Sequence, residues 1–205
     1  MKGQNPILMV AISIALAFIF VGCAQNAFLS KGMPESFFSD AKIDIADSKS
    51  VSYTFESKLA DPFPYYKDFV DLNPSYKSVL KNYMNYKYTT VGSEGGDYHI
   101  DVILEECTYE AVQAGTETAH AYSSTGASVT AHVYNIKVTT EMAVKVRVNA
   151  GGKVSEKTIN GTGEYTGNYS DASTVTKSFD LAIRATISRM DKFLNSIISA
   201  AATDP

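Results

Sequence analysis

The side chains that could do chemistry are few and scattered. The histidines are His99, His120 and His132, and the cysteines are Cys23 and Cys107. No histidine stands four residues from another, so no helical turn offers two imidazoles to one metal. No cysteine sits at metal-ligand spacing either. Glu105, Glu106 and Glu110 lie in an alternating stretch, where carboxylates on a sheet's wet face are ordinarily solvated. There is no GxSxG, no P-loop and no GxGxxG. Gly161-Thr162-Gly163 belongs to a strand-like run with no helix starting behind it, so it is not a phosphate cradle. The residues therefore predict no catalytic group, no metal and no cofactor. A hydrolase would require that folding bring a Ser or His against a carboxylate in a cleft.

Cys23 is the one residue whose surroundings specify a reaction. Lys2 gives a short positive start, and Ile7 to Val21 is apolar except for Ser13. That run is shorter than the roughly 20 residues that span a bilayer, so it reads as the core of a signal peptide over residues 1–22. It ends Phe20-Val21-Gly22-Cys23, which resembles the bacterial lipobox. A small residue before the cysteine fits a signal peptidase pocket, and the thiol is what a diacylglyceryl transferase modifies. Phe20 stands where the box usually has Leu. Cys23 is then the lipidation site and the new first residue. Two or more acyl chains, at ~0.8 kcal/mol per buried methylene, make a stable anchor. Ala24 resembles an outer-membrane sorting signal, so the expected location is the outer membrane, facing the periplasm. With Cys23 acylated, Cys107 has no partner, and its strand-like setting predicts an inert core thiol.

The charge is −4 over 205 residues, and the leader's only charge is Lys2. A mildly acidic chain with no basic cluster excludes nucleic acid as the expected partner. Hydrophobic residues make up 45% and charged residues 20%, which is enough for one globular core. Residues 23–40 read as a tether, 41–199 as a single domain, and 200–205 as a frayed tail.

The element that must position everything else is Tyr134 to Val148. Its even positions read Tyr, Ile, Val, Thr, Met, Val, Val, Val, while the odd ones are mostly polar. Period-two alternation of that length predicts a strand crossing a whole sheet, with one face buried. Lys42 to Ala46 and Val51 to Phe55 alternate as short strands. Asn73-Pro74 reads as a helix start, followed by Tyr76, Val79, Leu80, Tyr83 and Met84 at helical spacing. Tyr86 and Tyr88 suggest a strand restarting. Tyr98 to Leu104 alternates, and the pattern slips at Glu105-Glu106, which predicts a β-bulge. Ala114 to Ser128 reads as a hairpin loop. Val154 to Tyr169 reads as a returning strand whose glycines put it at an edge, in a strong twist, or against another backbone. Val175 to Ile197 has the longest helical stripe, the natural cover for the sheet. The fold class is α+β: a two-layer domain, mainly antiparallel sheet, covered by a long C-terminal helix and one shorter helix.

Between Asp61 and Asp71 the chain concentrates Phe63, Tyr65, Tyr66 and Phe69 around two prolines. In a surface loop these aromatics either pack over an end of the sheet or form a patch that binds a partner.

The order of helix, strand Asp97 to Leu104, long strand Tyr134 to Val148, Gly turn, Gly163-Glu164-Tyr165-Thr166-Gly167 and a helix opening at Thr176-Lys177-Ser178-Phe179 resembles the YajG-type bacterial lipoproteins. The resemblance spans Asn73 to Ile198 and implies an outer-membrane-anchored periplasmic α+β domain. It brings no catalytic residue. The expectation is a lipid-anchored envelope module that binds other envelope proteins or itself. The alternative is an accessory of lipid or lipopolysaccharide transport that holds an acyl ligand, which would need a continuous apolar groove.

Overall fold

A computed structural model describes residues 50–65, 68–91, 96–122, 128–168 and 172–201. The leader, Cys23, the tether, the strand expected at Lys42 to Ala46, Tyr66 and the last residues lie outside them.

Among the described residues, five strands form the main sheet, in the order β4-β1-β5-β6-β7. They are β1 (Ser50–Ser57), β4 (Thr89–Thr90), β5 (Tyr98–Tyr122), β6 (Ser128–Ala150) and β7 (Lys153–Asn168). Two short strands, β2 (Phe63–Tyr65) and β3 (Asp68–Val70), pair as a separate hairpin. The helices are α1 (Leu72–Lys87) and α2 (Ala172–Ala201). The strands β5, β6 and β7 form an antiparallel meander, as expected. The sheet is mixed, because β1 runs parallel to both β4 and β5. A parallel pair needs a crossover, and α1 supplies it.

Alternation along β6 becomes burial: Val138, Thr140, Met142, Val144, Val146 and Val148 all turn under the helices. Their partners Ile100, Val102 and Leu104 on β5 continue the same layer. The register slips between Leu104 and Glu106, so Cys107 and Tyr109 take over the inner face, as the sequence pattern predicted.

Five local expectations change. Residues 114–122 are strand, because the β5–β6 ladder continues from Gly115–Asn135 to Tyr122–Ser128. Small residues and threonines hid the alternation there. Strand β7 ends opposite Asn135, so the hairpin beyond it is a two-stranded ribbon. Tyr134 stands on that ribbon and is 55% exposed, although it begins the apolar series. Tyr86 continues α1 and does not restart a strand; only Thr89 and Thr90 pair. Asn73 is not the N-cap. Asp71 holds that position, and Asn73 Oδ1 accepts from Ser57 Oγ at 2.7 Å. Finally, the Phe63 to Phe69 segment is a hairpin despite Pro64, which pairs with Phe69.

Candidate interaction surface

The returning strand β7 is both an edge and a backbone contact, and glycine makes this possible. A Cβ on Gly163 would lie 2.0 Å from Ser178 O and 2.4 Å from Ala182 N. On Gly161 it would lie 2.7 Å from Ala182 O and 2.8 Å from Thr186 N. Helix α2 therefore rests on the bare backbone of β7, closer than any side chain allows. Hydroxyls on either side tie α2 to β6 and to α1: Thr140 Oγ1 and Ser178 Oγ are 2.8 Å apart, and Tyr76 Oη and Thr186 Oγ1 are 3.1 Å apart. The space between α2 and β7, where an acyl chain would have to lie, is closed at this level.

Lower down, α2 is tied to α1 by a buried ion pair. Lys87 Nζ donates to Asp191 Oδ1, and the two side chains are 1% and 7% exposed. Tyr83 Oη donates to the same oxygen at 2.9 Å, and Asn195 Nδ2 donates to Asp191 Oδ2 at 3.0 Å. Asn195 Oδ1 accepts from Lys87 Nζ at 2.5 Å. Burial, with the negative charge of Asp191 beside it, holds the Tyr83 phenol well above its ordinary range, so it stays a neutral donor. The sequence carries a signal for this constellation. Lys87 falls seven residues after Leu80 and four after Tyr83, on the inner stripe of α1. Asp191 falls four after Ile187 and three before Leu194, on that of α2. Opposite charges on two core stripes are the signal.

The other flank of β7 faces away from β6, and no described strand pairs with it. The Asn160 carbonyl turns that way and accepts from Arg189 Nη1. Residues two apart share a flank, so Thr158 and Thr162 present their backbone there too. Beside this edge runs a groove of about 460 Å³ lined by Lys157, Thr158, Asn160, Arg189, Lys192 and Phe193, among others.

The sheet's outer face is polar. Lys145 and Arg147 reach Glu156 at 2.7 and 3.0 Å, and Lys137 reaches Glu164 at 2.8 Å. The two cations hold Glu156 below the usual carboxylate range. A depression of about 350 Å³ on this face is lined by Glu106, Thr108, Glu141, Asn160 and Thr162, among others.

The residues singled out from sequence are dispersed. Cys23 and Tyr66 lie outside the described residues. Phe63 turns inward, edge-on to Phe179 at 6.0 Å between ring centroids. Phe69 turns outward and is 41% exposed. Tyr65 pairs through its backbone with Asp68. Cys107 is a free, buried thiol pushed up to about 12 by burial first and Glu106 second, so it is uncharged at neutral pH.

Folding does bring a serine, a histidine and a carboxylate into line. His99 Nδ1 lies 2.8 Å from Ser52 Oγ, and its Nε2 lies 3.0 Å from Asp101 Oδ1. Thr54 Oγ1 also donates to Asp101 at 2.7 Å. The sequence could not show this, because Ser52 is 47 residues from His99. A hydrolytic nucleophile must meet a carbonyl carbon, and Ser52 is only 2% exposed. Here the three side chains tie β1 to β5. The expected outcome is no labelling of Ser52 by a fluorophosphonate, followed by intact mass. A stoichiometric adduct absent from Ser52→Ala would make this site a serine hydrolase.

No family model matches the chain, and no curated protein matches it. Among solved structures, the chain is similar to the rare lipoprotein B from Shewanella oneidensis. The identity is 13%, over 75% of this chain and 96% of that chain, with a TM-score of 0.33. At that level the likeness carries no functional argument.

Proposed function

We propose that this protein is a lipid-anchored envelope module that acts by binding, with the free flank of β7 as its working surface. The observation behind this reading is the edge itself. A 16-residue strand is held on one side by β6 and from above by α2, and among the described residues no strand pairs with its other side, where Thr158 and Thr162 present backbone and Arg189 reaches the Asn160 carbonyl. An extended segment of another protein gains main-chain hydrogen bonds by adding to such an edge. Acylation of Cys23 would confine the domain to the outer membrane, where a raised effective concentration lets a modest contact suffice. The partner class is another envelope protein or a second copy of this chain. The contact between α2 and β7 is closed at Gly161 and Gly163, and the groove beyond it is lined mostly by polar side chains, which favours this over the acyl-carrier alternative.

The test is Thr162→Pro in the full-length, acylated protein. Proline removes an N–H that points to the open flank and spares the β6 ladder. Stoichiometric co-purification of one protein from detergent-solubilised membranes should be lost in this variant. It should persist in Glu56→Lys, an exposed position on β1, three strands away from the edge. Equal recovery from both variants would end the edge-binding reading.

A further inference from the structure

The groove beside the β7 edge has a charge character that the whole chain lacks. Three cations line it, Lys157 from β7 with Arg189 and Lys192 from α2, and no carboxylate does. This concentration sits in a protein whose net charge is −4. The nearby carboxylates are directed elsewhere. Glu156 and Glu164 of β7 lie on the outer face and pair across to Lys145, Arg147 and Lys137 of β6. Asp191 of α2 is buried against Lys87, on the side facing α1. Asp180 is paired to Arg184 one helical turn away. None of these neutralises the groove.

The positions follow from two periodicities. Lys157 is on the inner face of β7, opposite Val146, but it lies beyond the level where Gly161 and Gly163 admit the helix. There Phe193 of α2 lies beside the strand, with Lys157 Nζ 5.8 Å from its ring centroid. Arg189 and Lys192 are three residues apart on α2, so they share one flank of the helix. Arg189 reaches the Asn160 carbonyl, and so the cations stand directly beside the backbone that an incoming strand would use.

We infer that the β7 edge takes an acidic extended segment, whose backbone pairs along Thr158 to Thr162 and whose alternate carboxylates meet Lys157, Arg189 and Lys192. This rests on the edge-binding reading and adds to it the chemistry of the partner. Alternate side chains of an added strand project to the same face, so acidic residues two apart would all turn to the groove. Arg189 is a donor with a planar fork, suited to a carboxylate once it leaves the Asn160 carbonyl. Phe193 offers an apolar floor for the stem of a Glu side chain. A membrane surface rich in anionic lipid would also meet three cations, but it has no use for a strand edge.

The experiment uses the full-length acylated protein in detergent micelles, with a fluorescein-labelled peptide of alternating Glu and Val as the probe. Fluorescence anisotropy should show saturable binding that weakens with salt, and none to a peptide of alternating Lys and Val. The variant Lys157→Glu with Lys192→Glu should weaken binding by at least about tenfold. It removes the contact of Lys157 with the Phe193 ring, and an unchanged urea midpoint would confirm that the fold is intact. Equal binding by wild type and this variant overturns the inference. So does displacement of the peptide by phosphatidylglycerol vesicles but not by phosphatidylcholine vesicles, which would assign the cations to a lipid surface. The two readings separate cleanly. If Thr162→Pro abolishes recovery of the membrane partner while the charge reversal leaves it intact, the edge binds but the acidic class is wrong. If the charge reversal alone matters, the cations bind and the strand-addition reading is wrong.

Discussion

Gly163→Ala should loosen the C-terminal helix more than alanine at any other described glycine. The new Cβ would stand 2.0 Å from Ser178 O and 2.4 Å from Ala182 N. Both are backbone atoms of a helix, so neither can swing aside as a side-chain tip would. The helix must move off the sheet by an ångström or more, which separates the Thr140–Ser178 pair and uncovers Phe179 and Ile183. Overpacking of this kind typically costs about 1–3 kcal/mol and occasionally more. A rigid backbone on both sides puts this site at the upper end. Gly161→Ala should cost less, since its closest backbone contact is 2.7 Å. Gly167→Ala should cost least, because the nearest atoms to its new Cβ are side-chain atoms of Thr174 and Tyr165. Urea denaturation of the three variants checks the order. Identical midpoints for Gly163→Ala and wild type would mean that α2 does not rest on β7.

Lys87→Ala should be comparably severe, for an electrostatic reason. The substitution leaves the Asp191 carboxylate buried without its cation, although Tyr83 and Asn195 still donate to it. Breaking a buried pair by removing one partner costs about 3–5 kcal/mol. Against a typical stability of about 5–15 kcal/mol, that is a large share. The pair itself need not be stabilising, because desolvating two charges offsets most of their attraction. The double variant Lys87→Met with Asp191→Leu should therefore recover most of the loss. A double-mutant cycle of urea midpoints measures this. A cost under about 1 kcal/mol for Lys87→Ala would put the pair in the class of exposed ion pairs.

These two sites bear on the proposed binding surface. Both fix the position of α2, and α2 contributes Arg189, Lys192 and Phe193 to the groove beside the β7 edge. A variant that releases the helix should therefore weaken peptide binding without touching the groove. The charge reversal weakens binding with the helix in place. The urea midpoint distinguishes the two.

The sequence by itself determined the layers of this protein. Period-two alternation over Val138 to Val148 names the buried face of the central strand, and the slip at Glu105-Glu106 names a bulge. The helical stripes of Tyr76 to Met84 and Val175 to Ile197 name the two covers. Such patterns survive because burial acts on each residue through its own neighbours along the chain. The glycines of β7 left an edge, a strong twist and contact with another backbone all open. The candidate surface was less legible. The basic groove joins Lys157 to Arg189 and Lys192, more than thirty residues away, and the Ser52–His99–Asp101 line spans two parallel strands. Only the tertiary structure decided that β1 runs parallel to β5 and that the hairpin ribbon leaves Tyr134 in the open. It also decided that the core charges Lys87 and Asp191 meet each other. Each of these depends on which elements become neighbours in space, and a local pattern fixes a residue's face but not the residue that will stand opposite it.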